Sequence, residues 1–163
     1  MFAAVAQPSG SKREIYRELC LQARGLFESE RDPICNAANL AALLYNGLGD
    51  VNWAGFYFLK GADLVLGPFQ GQPACVRIPV GKGVCGTAAQ RREAVTVPDV
   101  QKFPGHIACD AASRSEVVVP LLKSGRLLGV LDLDSPKLNR FNDEDRSGLE
   151  TLAELWVESS DHP

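Results

Sequence analysis

Residues 116–134 read EVVVPLLKSGRLLGVLDLD, two strongly apolar runs on either side of Ser124-Gly125. A two-residue spacer containing glycine between such runs predicts a tight hairpin of two strands, 116–123 and 126–134. Side chains alternate between faces along a strand. Leu131 and Leu133 therefore turn to the core, and Asp132 and Asp134 share the opposite face. Glu116 opens the preceding strand and lies near the two aspartates if the register is tight. One reading is a solvated sheet face. The other rests on the apolar surroundings of these acids: crowded carboxylates raise one another's pKa, so one can stay protonated and serve as a general acid near neutrality.

Upstream, residues 51–60, 64–70 and 74–80 read as strands separated by Gly61-Ala62-Asp63 and by Gly71 and Pro73, which predicts an antiparallel meander. In the first of them Trp53, Gly55 and Tyr57 share one face. They either pack as aromatic core or wall a small apolar pocket, with Gly55 leaving room between the rings. Gly81-Lys82-Gly83 leads into a short helix over 84–91, then a strand over 94–98 and a loop-rich stretch over 99–115. Before the meander, Ser11 and Glu14 form a capping-box pattern for a helix over 12–29, and Asp32-Pro33 starts a second that Gly47 and Gly49 end. Asn142, followed by three acids, caps a final helix. The fold class is α+β: a central antiparallel sheet of about six strands, with N- and C-terminal helices on one side and loops over a concave ligand site on the other.

The length of 163 residues predicts one domain, 11–163, behind a mobile tail over 1–10. A net charge of −3, from 17 basic and 20 acidic residues, gives no electrostatic case for nucleic acid or an anionic membrane. The sequence shows neither a spanning segment nor a signal peptide, so the expected location is cytoplasmic.

Five cysteines, Cys20, Cys35, Cys75, Cys85 and Cys109, make an odd number, which argues against a structural disulfide framework. Cys20 and Cys35 fall within the first two helices and read as packing or surface residues. Cys75, Cys85 and Cys109 fall in or beside the loop-rich middle, where reactivity is favoured over packing. A zinc site of Cys75, Cys85, Cys109 and His106 is a rival, weakened by the lack of Cys-x-x-Cys knuckles.

The segments WAGFY (53–57), LGPFQG (66–71), ACVRI (74–78), GKGVCGTA (81–88), GHIACDAAS (105–113) and GVLDLDS (129–135) resemble those of the free methionine-R-sulfoxide reductases. The likeness runs from about Ile15 to the end and implies a GAF-like domain that converts free L-methionine (R)-S-oxide to L-methionine. It implies that Cys109 is the nucleophile and Cys75 the resolving thiol, with Cys85 an alternative resolver or part of the pocket. Glu116, Asp132 and Asp134 match the family's substrate-binding acids, and Trp53 and Tyr57 the residues around the methyl-bearing end. Asp134 stands beside the cysteines as a candidate proton donor. Neighbouring acids, Asp110 included, are expected to raise the resting Cys109 pKa. His106 reads as a loop-fixing partner, not a base. The reaction implied needs no bound cofactor or metal, only an external dithiol such as thioredoxin. The oligomeric state stays open, a homodimer included. The alternative is a non-catalytic GAF sensor that binds a small ligand.

Overall fold

A computed structural model describes residues 9–107 and 109–162. The predicted tail lies almost wholly outside them. Helix α1 (Lys12–Phe27) begins at the Ser11–Glu14 capping box, and α2 (Pro33–Gly47) begins where the Asp32 side chain accepts from the Cys35 N–H at 2.8 Å. Strands β1 (Trp53–Lys60), β2 (Asp63–Gly71) and β3 (Arg77–Pro79) form the meander. Helix α3 (Gly83–Arg91), β4 (Val95–Val97), the hairpin β5 (Ser115–Lys123) and β6 (Arg126–Ser135), and α4 (Asp143–Ser159) complete the chain. The hairpin turn uses positive φ at both Ser124 (51°) and Gly125 (77°), matching the twist of the strands it joins.

The six strands run in the order β3-β2-β1-β6-β5-β4, every neighbouring pair antiparallel. The sheet separates two cores. Behind it Ala54, Phe56, Val117, Val119, Leu131 and Leu133 pack against Leu19, Leu40, Leu44, Leu149 and Trp156 of α1, α2 and α4. In front Trp53, Tyr57, Val118 and Val130 meet Val84, Cys85 and Ala88 of α3. The sequence predicts loops on this side; the layer also includes α3, which is apolar enough to lie on the sheet.

Strand β3 is shorter than predicted. Residues 72–76 are held largely by side chains: Trp53 Nε1 donates to the Gln72 carbonyl at 3.1 Å and the Tyr57 hydroxyl to the Cys75 carbonyl at 3.0 Å. Among the described residues, no helix is long and apolar enough to cross a membrane.

Candidate active site

The register of β1, β6 and β5 assembles the front face. Trp53 lies opposite Asp134, Gly55 opposite Asp132, and Glu116 pairs with Asp134 across the hairpin. Parity thus puts Trp53, Gly55, Tyr57, Glu116, Asp132 and Asp134 on one surface, as the sequence pattern predicts. Gly55 is required by crowding. A Cβ there would lie 2.3 Å from Phe69 Cβ and 2.7 Å from the Trp53 ring. Trp53 stacks on Phe69 at 5.3 Å and on Tyr57 at 5.9 Å between centroids, forming one aromatic wall. Phe69 is not legible in the sequence pattern, because the pairing of β1 with β2 shifts between Gly55 and Tyr57, with one extra residue on β2, and this changes which β2 residue stands beside Trp53.

Two loops close over this face and are joined by a disulfide. Cys75 and Cys109 are 34 residues apart in the chain, and their Cα atoms are 5.4 Å apart. Cys20, Cys35 and Cys85 are free thiols. The bridge takes two thiols from the rival zinc set, which cannot form in this state. The Cys109 loop is anchored by Asn52, whose Nδ2 donates to Asp110 Oδ2 at 3.0 Å and to Ser113 Oγ at 3.2 Å. Ser113 in turn hydrogen-bonds Asp134. Neither Asn52 nor Ser113 carries a sequence signal that separates it from ordinary loop polarity. Cys85 sits in the first turn of α3, its thiol donating to Glu116 Oε1 at 3.8 Å. His106 Nε2 lies 3.9 Å from Glu116 Oε2, and its backbone N–H donates to the Phe103 carbonyl.

No lysine or arginine among the described residues lines the pocket. Burial and mutual repulsion therefore push Glu116 and Asp134 well above the usual carboxylate range. Burial raises Asp132 to about 7, moderated by hydrogen bonds with Cys85 and Glu116. Burial, then the nearby acids, pushes the Cys85 thiol up, and the same two causes raise the Tyr57 hydroxyl, which remains a neutral donor to Cys75. Burial holds the His106 imidazole below its ordinary value. With the disulfide closed, the cavity between the acids and the wall measures about 30 Å³.

The raised acids set a pH dependence of stability. Asp132 binds its proton more tightly folded than unfolded, so its contribution is full below about pH 4 and lost as pH rises through about 7. The melting temperature of the ligand-free protein is expected to fall across that interval, and Asp132→Asn to flatten the fall. An unchanged slope in the variant would show that Asp132 ionises freely.

An antiparallel six-stranded sheet with helices behind and a closed pocket in front defines a GAF domain, and residues 38–156 match the GAF domain family. The free methionine-R-sulfoxide reductase of Escherichia coli (strain K12) is 53% identical over 142 residues, which cover 87% of this chain and 86% of that protein. That of Saccharomyces cerevisiae is 46% identical over 153 residues, covering 89% and 85%. The X-ray structure of free methionine-R-sulfoxide reductase from Neisseria meningitidis in complex with its substrate superposes with a TM-score of 0.92 at 42% identity, over 97% of this chain and 95% of that one. The chain belongs to the free methionine-R-sulfoxide reductase family of GAF proteins.

Proposed function

We infer that the protein reduces free L-methionine (R)-S-oxide to L-methionine, with residues 11–163 as the catalytic unit. The observation that carries this reading is the Cys75–Cys109 disulfide lying over a buried pocket with three carboxylates and an aromatic wall. In the dithiol form the Cys109 thiolate attacks the sulfoxide sulfur. The oxygen stays on sulfur as a poor leaving group until protonated, and Asp134, kept protonated by burial and by Asp132, is the proposed donor. The substrate's S–O bond breaks, its oxygen passes to the Cys109 sulfur as a sulfenic acid, and methionine leaves with its own sulfur as the thioether. The Cys75 thiol then displaces water from that sulfenic acid, giving the observed bridge. An external dithiol, proposed to be thioredoxin, reduces the bridge by exchange and supplies the two electrons. Trp53 and Tyr57 hold the methyl-bearing end of the substrate, and Glu116 and Asp132 join Asp134 in holding its ammonium group.

The direct test is incubation with each epimer of free methionine sulfoxide and a dithiol, followed by assay for methionine. Consumption of the R epimer alone is expected. Binding without conversion would leave a sensor domain in its place. The two thiols beside Cys109 are separable in the same assay. Cys75→Ser is expected to release about one methionine per site and then stall with thioredoxin, because the sulfenic acid has no resolving partner. Cys85→Ser is expected to keep forming the disulfide. Stalling in Cys85→Ser and not in Cys75→Ser would reverse their roles.

A further inference from the structure

The acids proposed to hold the substrate's ammonium group also form, together with Cys85, a donor set suited to a metal ion. The Cys85 sulfur and one carboxylate oxygen each from Glu116 and Asp132 lie within 4.8 Å of one another, and all three residues are buried. The Cys85 Sγ to Glu116 Oε1 separation is 3.8 Å. A tetrahedral zinc ion with Zn–S near 2.3 Å and Zn–O near 2.1 Å has donor-to-donor edges of about 3.5 Å, so modest contraction completes the set. A second feature points to a cation at this place beyond the proximity of the donors. Asp132 is only 5% exposed, and its Oδ1 has no hydrogen-bond partner. A buried carboxylate oxygen left unpaired is costly, and a cation satisfies it directly.

We propose that the disulfide form of the protein binds one thiophilic divalent cation of the zinc class through Cys85, Glu116 and Asp132. On binding, the Cys85 S–H bond and the O–H bond of each ligating carboxyl that is protonated give way to bonds to the metal, and the protons pass to buffer. No electron moves, and the Cys75–Cys109 bridge is untouched. Thiolate ligation selects zinc or cadmium over magnesium, which prefers an all-oxygen octahedron. The site is read by equilibrium binding, so it stands or falls separately from the assigned turnover.

The test uses the disulfide form carrying Cys20→Ser and Cys35→Ser, in which Cys85 is the remaining free thiol. Calorimetric titration with Zn²⁺ in a non-chelating buffer is expected to give one equivalent, with Mg²⁺ at least ~100-fold weaker. Cd²⁺ is expected to produce the ultraviolet charge-transfer band of a cadmium–thiolate bond. Adding Cys85→Ser is expected to lower zinc affinity at least ~10-fold, with circular dichroism as the check on folding and Asp132→Asn as a second variant. Absence of saturable zinc binding, magnesium binding of equal strength, cadmium binding without the band, or unchanged affinity in folded Cys85→Ser each overturns the proposal.

Discussion

Cys109→Ser is expected to lower steady-state reduction of free methionine-R-sulfoxide by at least about 10³-fold, a loss of the size seen when a nucleophile is removed. A serine hydroxyl can occupy the half-buried Cys109 position with little change in volume, and the Asn52, Asp110 and Ser113 hydrogen bonds that fix the loop do not involve the sulfur. Under reducing conditions the folded protein should therefore melt as the parent does. The loss is chemical: oxygen cannot accept the sulfoxide oxygen as sulfur does, and the variant cannot form the bridge to Cys75. Turnover retained in Cys109→Ser would move the nucleophile to another thiol, with Cys85 the next to examine.

The second large effect concerns the amino group of the substrate. Three buried acids with no lysine or arginine beside them are more than protonation of one oxygen needs. A free amino acid supplies an ammonium to meet the surplus charge, and an acylated one does not. Leaving one side of a buried ion pair unmatched costs on the order of 3 to 5 kcal/mol. That corresponds to roughly a 100-fold to several-thousand-fold loss in binding. N-acetyl-methionine-R-sulfoxide keeps the same sulfur and side chain, and its kcat/KM is expected to be at least ~100-fold lower than that of the free amino acid. Equal values for the two substrates would show that Glu116, Asp132 and Asp134 do not read the amino group.

The face assignments are legible because strand parity is a strict period of two. The alternation in Leu131-Asp132-Leu133-Asp134 and in Trp53, Gly55 and Tyr57, with Glu116 opening the paired strand, places six site residues together, and the observed register does the same. What parity cannot supply is whatever depends on an interruption of it. The irregular step between Gly55 and Tyr57 brings Phe69 onto the aromatic wall, and sequence alone does not reveal it. Loop residues are also opaque. Asn52 binds partners 58 to 61 positions away, Asp110 and Ser113, and no local spacing encodes such distances. Asp145 gives a third instance. It reads as an acid complementing a helix dipole, yet it is fully buried and gathers Lys12, Arg140 and the Tyr16 hydroxyl around it, tying α1 to α4.

The bridge across Cys75 and Cys109 takes up both sulfurs, so while it is closed the proposed nucleophile has no thiol to offer a sulfoxide. The amino acid is therefore reduced only after the bridge has been opened, and the reductant finds its target only after methionine has formed. The two co-substrates meet alternate forms of the same protein and never share it. Catalysis is then ping-pong, with each half-reaction resetting the cysteines for the other, and a shortage of reductant leaves the enzyme in the bridged form, which has no Cys109 thiol with which to begin a turnover.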